Sequence, residues 1–560
     1  MTSTDPITIF CENDGRHLQV PMGTPLSLIA QNLKTEQGRP LLAAFVNNRL
    51  KELSYRICSP VSVRFIDISS FAGFRLYQRT VWFVLQKAVR DLWPGKELSI
   101  RHSLGQSGFY CEIEQMQLIT DEEIAALELR MQQIVEADFP IRRQHLTTSE
   151  VRKRYIEAGL DDKLPLLDSR PRLYSTLYTM DDMIGYFYGP LAPSSGFVKH
   201  FSLSRCFNGF YLALPLRTDP DHVHRNTMQE KMFDIFHDYK RWNELLGVAT
   251  VGQINGRILE GRIGEMVRIA EAVHERSLSK IADRIHEANH THGTRLVLIS
   301  GPSSSGKTTT AKRLTVQLQV LGLNPHIISL DDYFVERDKT PRDEKGDYDY
   351  ETLEAIDLAL FNDHLTQLFE GKAVTIPRYN FITGLREWHE ESLQLDERSI
   401  LIVEGIHGLN PRLTPSIPAE QKFTIYASCF TSISMDNLSR IATSDNRLLR
   451  RMTRDYVQRG STAQSTLARW GSVRLGEEKH IFPYQENADA MFNTSLFYEL
   501  SVLRPLAEPI LREVPDTVPE YDEACRLLQF LDNFTPVYDQ KDIPPTSILR
   551  EFIGGSTFQY

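Results

Sequence analysis

A glycine- and serine-rich turn carries the residues whose types and spacing point most directly to chemistry. It follows the apolar residues 296–299 and fits the pattern G-x-x-x-x-G-K-[ST] from Gly301 to Thr308. The glycines let the backbone wrap a phosphate, while backbone amides and the N-terminus of the following helix supply partial positive charge. Lys307 is expected to reach the β- and γ-phosphates, and the Thr308 hydroxyl to ligate Mg²⁺. The predicted phosphate-binding residues are Gly301, Ser303, Ser304, Ser305, Gly306, Lys307, Thr308 and Thr309.

Two later apolar runs end in carboxylates. Asp331 follows residues 326–330, and Glu404 follows residues 400–403. In an open α/β sheet the carboxyl ends of the strands face the ligand, so Asp331 can accept the proton of a hydroxyl nucleophile. Glu404 stands at the Walker-B position and would hold the Mg²⁺ shell. Each acid alone could be a helix N-cap, but two acidic strand ends after a phosphate-binding turn indicate a catalytic site.

A group of arginines follows at helical spacing. Its first four members recur at i, i+3, i+4 and i+7 and are Arg447, Arg450, Arg451 and Arg454. Arg459 closes the group just before Gly460, and Asp455 is the acidic residue among them. A solvated charged face is the ordinary interpretation of such a run. Arginines without lysines favour a phosphate-binding lid instead.

Composition limits the class of protein. At 560 residues the chain should divide into about three or four domains. The net charge of -10 argues against a chain that coats nucleic acid, so we expect no nucleic-acid partner. The six cysteines form no C-x-x-C pair, which favours a reducing compartment. With no signal-like start and no apolar run near ~18 residues, we predict a cytoplasmic protein without a membrane partner.

Residue periodicity predicts the elements around these motifs. Residues 7–67 read as short strands with one helix, a β-grasp arrangement, and residues 226–290 read as helical apart from a loop at 247–261. The polar residues 289–293 are predicted to be a solvated loop. After residue 505 the pattern predicts a helix near 521–531 and a strand-like tail.

The first part of the chain resembles two domains of threonyl-tRNA synthetases. Residues 7–67 resemble the TGS domain, and residues 70–215 resemble the editing domain through A-V-R-D-L-W-P-G at 88–95 and G-F-Y-C-E-I at 108–113. Active editing domains carry H-x-x-x-H and C-x-x-x-H segments, whose positions here hold Phe83, Lys87, Phe187 and Leu191. These side chains support neither metal ligation nor hydrolysis. We therefore predict a packing or dimerisation module in preference to a tRNA-binding one.

Residues 295–505 resemble the uridine kinase and phosphoribulokinase family of P-loop kinases. The resemblance is carried by the P-loop, S-L-D-D-Y-F at 329–334, P-R-Y-N-F at 377–381, V-E-G at 403–405 and R-x-x-R-D-x-x-x-R-G at 451–460. It implies catalytic roles for Asp331, Lys307 and Arg454, nucleotide contacts from Arg454 and Arg459, acceptor contacts from Tyr379, Arg386 and Arg451, and metal ligation by Thr308 and Glu404. The sequence departs from uridine kinases at Asn380 and Gly384, where those enzymes carry an acid and a histidine. Gly384 would leave empty space at the edge of the base and weaken discrimination for uridine.

The predicted fold class is α/β, with a P-loop NTPase-type parallel-sheet kinase domain preceded by a β-grasp, TGS-like domain and an α+β editing-like domain. The predicted boundaries are 1–67 (TGS-like), 68–225 (editing-like), 226–293 (helical bridge), 294–505 (kinase) and 506–560 (C-terminal extension).

Three functions remain open on the sequence. The first is an ATP- and Mg²⁺-dependent kinase acting on a hydroxyl of a small molecule, with a nucleoside as the acceptor. The second is a sugar-phosphate kinase of the phosphoribulokinase type, which would use spare arginines to bind a phosphate on the acceptor. The third is a nucleotide-gated regulator that binds RNA or tRNA through the synthetase-like half. Whether the chain forms a homo-oligomer stays open.

Overall fold

The computed structural model describes residues 6–31, 33, 38–105, 107–224, 229–343 and 346–559, with the side chains of residues 389 and 390 excepted. Helices and strands are numbered here in chain order. Across these ranges, no helix combines the length and apolar character that crossing a membrane requires.

The first part is a small mixed sheet with one short helix. Its elements are β1 (Pro6–Cys11), β2 (Arg16–Pro21), β3 (Thr24–Pro25), α1 (Leu26–Ala30), β4 (Ala43–Val46), β5 (Arg49–Glu52), β6 (Arg56–Ile57) and β7 (Val61–Ile66). The main sheet has the order β2-β1-β7-β4-β5. Side chains of β1 alternate between exposed and buried, which places Ile7 and Ile9 in the core against Leu26 of α1. The predicted arrangement of short strands around one helix is present.

The second part combines helices with antiparallel sheets. Its elements are α2 (Phe71–Leu92), β8 (Leu98–Leu104), β9 (Gly108–Ile113), α3 (Asp121–Glu136), β10 (Ile141–Thr147), α4 (Thr148–Glu157), α5 (Leu164–Asp168), β11 (Tyr174–Met180), β12 (Met183–Gly185), β13 (Ser202–Cys206), β14 (Gly209–Ala213), β15 (Pro215–Leu216) and β16 (Asp219–Val223). The strands form sheets of order β13-β14-β9-β8, β10-β11-β12 and β15-β16. Helix α2 begins at the N-cap Ser70, whose side chain accepts from the amide of Gly73, and its apolar face fills the core of this part.

Three helices then lead to the parallel sheet: α6 (Glu230–Leu246), α7 (Val251–Leu259) and α8 (Ile263–His292). The predicted loop at 247–261 is wrong, because a capping box between Thr250 and Gln253 starts α7 within it. The predicted loop at 289–293 is also wrong, since α8 continues to His292 and ends at the left-handed Gly293. In both cases glycine and polar residues mark the ends of helices.

The kinase part contains a parallel sheet of order β18-β21-β17-β22-β23. Its elements are β17 (Leu296–Ser300), α9 (Lys307–Val320), β18 (Asn324–Ser329), α10 (Leu358–Phe369), β19 (Val374–Asn380), β20 (Leu385–Leu393), β21 (Ser399–Glu404), β22 (Lys422–Ser428), α11 (Thr443–Arg459), α12 (Ala463–His480) and β23 (Ala490–Asn493). Every residue of β17 and β21 is buried, as expected for central strands with both faces covered. Strands β19 and β20 form a separate antiparallel hairpin. The α/β fold class is confirmed.

Three helices follow the sheet: α13 (Glu499–Arg512), α14 (Tyr521–Leu531) and α15 (Arg550–Ile553). The helix predicted near 521–531 is present. The strand-like tail is wrong, because the described residues after β23 contain no strand and the tail instead holds α15. Helix α13 crosses the predicted boundary at 505/506, so we propose that the kinase part extends through this helix. The other boundaries stay predictions.

Candidate active site

The turn between β17 and α9 passes so close to its neighbours that only glycine fits at its two ends. A Cβ at Gly301 would lie 1.9 Å from the carbonyl oxygen of Ala427, on the adjacent strand β22. Gly306 has φ +85°, and a Cβ there would lie 3.0 Å from Ile548. Ile548 belongs to the C-terminal segment, by which we mean residues 543–553. The backbone is therefore held in a compact loop whose amides can face a phosphate.

Side chains of this loop leave hydrogen-bonding capacity unused. Ser304 adopts a left-handed backbone with φ 56°, which is strained for a residue with a side chain. Within the described residues, the buried hydroxyls of Ser304 and Ser305 have no hydrogen-bond partner. A buried hydroxyl without a partner costs about 1–3 kcal/mol, a cost that phosphate oxygens would remove. Lys307 Nζ lies folded over the loop and donates to the carbonyl of Pro302 at 3.1 Å. The loop thus fits the phosphates of ATP.

Thr308 and Glu404 meet at the end of the central strands. Thr308 Oγ1 donates to Glu404 Oε1 at 3.1 Å, and Ser329 Oγ donates to the same oxygen at 3.2 Å. Burial raises the pKa of Glu404 to about 7, against the opposing charge of Lys307. Hard oxygen ligands of this kind suit Mg²⁺, and a bound cation would favour the ionised carboxylate. The donor set fits the predicted metal role of both residues.

Asp331 stands directly after β18, in the 3-10 turn Leu330–Tyr333. Burial raises the pKa of its carboxyl, while the positive charges of Lys307, Arg459 and Arg454 lower it. These three cationic side chains therefore lie close enough to the Asp331 carboxylate to influence its pKa. A raised pKa moves a carboxylate towards the range in which it works as a general base.

The outer arginines of α11 share one carboxylate. Arg451, Arg454 and Arg459 lie 3.4, 2.8 and 3.7 Å from the Asp455 oxygens. Arg451 Nη1 also donates to Ser303 Oγ of the P-loop at 3.0 Å. Glu551 Oε1 also lies 3.9 Å from Arg454 Nη1, so three positive charges face two carboxylates, and this end of the helix keeps a net positive charge close to the P-loop. That is the arrangement predicted for a phosphate-binding lid.

The inner arginines of the same helix are buried ion pairs, so the predicted single cationic face is wrong for Arg447 and Arg450. Arg447 Nη2 pairs with Glu477 at 2.7 Å and Nη1 donates to the carbonyl of Ser303 at 3.0 Å. Arg450 Nε pairs with Glu499 at 2.7 Å. Glu477 belongs to α12 and Glu499 to α13, so both arginines lie on the side of α11 that packs against these two helices. These two arginines support the loop and are shielded from ligand.

An aromatic cluster lies beside Asp331 and the lid. Tyr379 is buried, and its ring packs against Phe334 at 5.6 Å and against Phe381 at 5.1 Å between centroids. The backbone amide of Tyr379 donates to Asp332 at 3.2 Å, which ties the hairpin β19–β20 to the catalytic turn. Phe381 is half exposed, and the Arg459 guanidinium lies 5.9 Å from its centroid. The cluster provides an aromatic wall for an acceptor.

Neighbouring groups of the protein contact Arg386, Asn380 and Gly384, the positions predicted to affect recognition of a base. Arg386 Nη1 pairs with Asp357 at 3.2 Å, and its Nη2 donates to the carbonyl of Phe334. The side chain predicted to contact the acceptor is therefore already engaged within the protein. Asn380 Oδ1 accepts from two amides of the hairpin turn. The predicted empty space at Gly384 is wrong: φ is +75°, and a Cβ would lie 2.7 Å from Arg337. Arg337 fills the place expected to be vacant.

Three carboxylates near the site were not predicted from the sequence. Glu477 accepts from the amide of Ser303 at 3.1 Å. Burial, reinforced by Glu477, raises the pKa of Glu351 to about 7, and Lys307 and Arg451 are near enough to oppose it. Glu551 accepts from Thr309 at 2.5 Å. Glu351 follows the segment Y-D-Y at 348–350, whose tyrosines and acid could have drawn attention to it. Glu477 and Glu551 belong to no motif.

The editing-like positions form packed core. Phe83, Phe187 and Leu191 are buried, and the two phenylalanine rings meet edge to face at 5.1 Å. Lys87 Nζ pairs with Asp182 at 2.9 Å and with Asp91 at 3.2 Å. A cleft of about 1970 Å³ lies between this part and the kinase helices, but Lys307, Asp331 and Glu404 do not line it.

The fold and site define the C-terminal part as a P-loop phosphotransferase for a small molecule. Residues 296–496 match the family model described as Phosphoribulokinase / Uridine kinase family. This part of the chain is therefore similar to the kinases of that family.

The N-terminal third is similar to threonine–tRNA ligases. The ligase of Symbiobacterium thermophilum is 29% identical over 191 residues, which cover 34% of this chain and 29% of that protein. Threonine–tRNA ligase 1 of Bacillus subtilis is 27% identical over 191 residues, covering 34% and 30% respectively. The chain thus spans less than a third of the length of these relatives.

Solved structures of kinases are among those similar to this chain. A possible uridine kinase from Bacillus stearothermophilus is 20% identical, with a TM-score of 0.26, and the match covers 38% of this chain and 98% of that one. D-glycerate 3-kinase from Cryptococcus neoformans is 14% identical, with a TM-score of 0.21, covering 48% and 89%.

Proposed function

We propose that this protein is a Mg²⁺- and ATP-dependent kinase that transfers the γ-phosphoryl group to a hydroxyl of a nucleoside. The observation that carries the proposal is the convergence of Lys307, Arg454 and Arg459 on Asp331, next to the Thr308–Glu404 pair. Convergence of a hydroxyl-activating carboxylate with phosphate-binding cations is what in-line phosphoryl transfer requires.

Each residue has a defined task in this reaction. Asp331 accepts a hydrogen bond from the acceptor hydroxyl and takes its proton as the new O–P bond forms. Lys307, Arg454 and Arg459 stabilise negative charge on the transferring group. Thr308 and Glu404 would hold Mg²⁺, which when bound neutralises charge on the β- and γ-phosphates. The loop amides orient the triphosphate so that donor and acceptor oxygens lie in line.

Two observations favour a nucleoside over a sugar phosphate as the acceptor. The wall beside Asp331 is aromatic, with Phe381 half exposed, and suits a planar base. The arginines of this wall are already engaged, Arg386 with Asp357 and Arg337 with the carbonyl of Phe381 at 2.6 Å. A phosphate on the acceptor would have to compete with these partners.

The proposal is tested by measuring ADP release over a panel of nucleosides and sugar phosphates. We expect turnover with at least one nucleoside, and a loss of at least ~10²-fold in kcat for Lys307→Ala. Asp331→Asn should lose turnover while keeping most ATP binding. Asp363→Asn and Lys372→Ala change exposed residues distant from the site and serve as matched controls.

Turnover with a sugar phosphate and with none of the nucleosides would assign the alternative acceptor. Near wild-type turnover of Asp331→Asn on the best acceptor would contradict the assignment of the base. The third candidate, a nucleotide-gated RNA-binding regulator, predicts salt-sensitive RNA binding in place of turnover.

A further inference from the structure

The C-terminal segment packs against the nucleotide site although it lies outside the family match at 296–496. Ile548 is fully buried next to Gly306 of the P-loop. Phe552 is also buried, and the guanidinium of Arg450 lies 4.9 Å from its ring centroid. Arg550 fixes the segment by donating to the carbonyl of Ile543 at 2.8 Å. The segment is therefore part of the packing that supports the P-loop.

Glu551 of this segment contacts both the P-loop helix and the lid helix. Its Oε2 accepts from the Thr309 hydroxyl at 2.5 Å, at the start of α9. Its Oε1 lies 3.9 Å from Arg454 Nη1, on α11. Its backbone carbonyl accepts from Gln458 Nε2 at 3.0 Å, also on α11. One buried residue thus joins the two helices that bind phosphate.

The charge of Glu551 is informative because an anion is costly here. The side chain is 8% exposed and lies near a site built for the phosphates of ATP. A neutral amide could accept the Thr309 hydrogen bond equally well, so that bond does not require a carboxylate. What the negative charge adds is attraction for arginines, namely Arg454 at 3.9 Å and also Arg450, which is already paired with Glu499.

Arg454 is held from two sides. Asp455 takes its Nε and Nη2 at 2.8 Å each, and Glu551 faces the remaining nitrogen, Nη1. The contacts of Asp455 with Nε and Nη2 set the plane of the guanidinium, and the charge of Glu551, 3.9 Å from Nη1, attracts its other edge towards the first turn of α9. The second carboxylate therefore pre-orients the arginine before the nucleotide binds.

We propose that Glu551 is a positioning residue of the nucleotide site, which holds the Arg454 guanidinium beside the first turn of the P-loop helix, where it stabilises the transferring phosphoryl group. This inference rests on the proposed function for the nucleotide and for the role of Arg454. It adds to the site a residue that lies outside the matched family segment.

The test compares full-length Glu551→Gln, Arg454→Ala and the double variant. Glutamine keeps an oxygen for Thr309 and removes the charge. We expect Glu551→Gln to lower kcat about tenfold while the Kd of a fluorescent N-methylanthraniloyl derivative of ATP changes less than about twofold. In the Arg454→Ala background the same change should have no further effect on kcat, because the side chain on which it acts is absent.

A purely structural role predicts a different result. Nucleotide affinity, kcat and thermal stability would then fall together, and the effects of the two substitutions would multiply in the double variant. Glu513→Gln is the matched control, since Glu513 also accepts one hydrogen bond from α11, from Tyr456 at 2.9 Å, but on its exposed side. It should leave kcat unchanged.

Two outcomes overturn the inference: wild-type kcat in Glu551→Gln, or multiplicative effects in the double variant. If the glutamine variant does not fold, Glu551→Asp carries the test, with a smaller loss of kcat that again vanishes in the Arg454→Ala background. Wild-type protein that fails to bind the fluorescent ATP derivative would contradict the proposed function instead, so the two failures are distinguishable.

Discussion

Replacing Arg450 by methionine should destabilise the kinase part strongly without removing a ligand contact. The guanidinium and its partner Glu499 are 0% and 1% exposed. Arg450 Nη2 also donates to the carbonyl of Thr494 at 2.8 Å, and the Thr494 hydroxyl donates to the Ser305 carbonyl at 2.6 Å. Breaking a buried pair of this kind costs about 3–5 kcal/mol, because a charge is left without its partner. With a urea m-value of about 2 kcal/mol/M, the unfolding midpoint should fall by about 2 M.

The assay is urea unfolding of the full-length protein followed by circular dichroism and tryptophan fluorescence. Arg459→Met is the matched control on the same helix: its side chain is 53% exposed and its ion pair spans 3.7 Å, so the cost should stay below about 1 kcal/mol. Glu499→Gln added to Arg450→Met should recover part of the loss. Equal midpoints for the two single variants, with ATP affinity lost in Arg450→Met, would refute the reasoning and return Arg450 to the phosphate-binding face.

Three further predictions concern other parts of the chain. Gly384→Ala should lower the thermal midpoint by an amount equivalent to about 1–2 kcal/mol, because its φ of +75° and the nearby Arg337 both oppose a side chain; an unchanged midpoint in differential scanning fluorimetry would show that the turn adapts. Residues 68–225 should bind no zinc, and stoichiometric zinc by mass spectrometry that disappears on truncating them would contradict this. Burial lowers the pKa of His102 to about 3, so the unfolded state gains a proton first and stability should fall as pH decreases from about 6.5 towards 3. His102→Phe retains stacking on Phe236 and should remove roughly 4 kcal/mol of the stability lost between about pH 6.5 and pH 3. An unchanged dependence of stability on pH would rule out His102 as its source.

Local sequence predicted the parts of the site that follow directly from strand ends and a phosphate-binding turn. Lys307 and Thr308 follow the turn after β17, Asp331 follows β18 and Glu404 ends β21, and a parallel sheet brings such strand ends to one edge whatever the details of packing. Their meeting was therefore predictable without knowledge of any tertiary contact. The same holds for the helical spacing of the arginines on α11, whose last residue, Arg459, is followed by the left-handed Gly460.

What remained hidden depends on contacts distant in sequence. Periodicity placed Arg447 and Arg454 on one face, but only the packing of α12 and α13 decides that Arg447 pairs with a buried carboxylate. The Arg337 side chain occupies the space beside Gly384 although the two residues lie on separate elements. Glu551 belongs to no motif, since its role arises from two helices that reach it from other parts of the chain.

The placement of the C-terminal segment has a consequence for biosynthesis. Ile548 and Glu551 follow the P-loop by more than two hundred residues, yet they support it from below. At roughly 5–20 residues per second, the ribosome makes them about 10–50 s after Lys307. Until then the loop lacks its support, so a nascent chain that already contains every motif residue should not yet hold nucleotide. Competence for catalysis would therefore arise late in translation, when the synthetase-like part has long been able to fold.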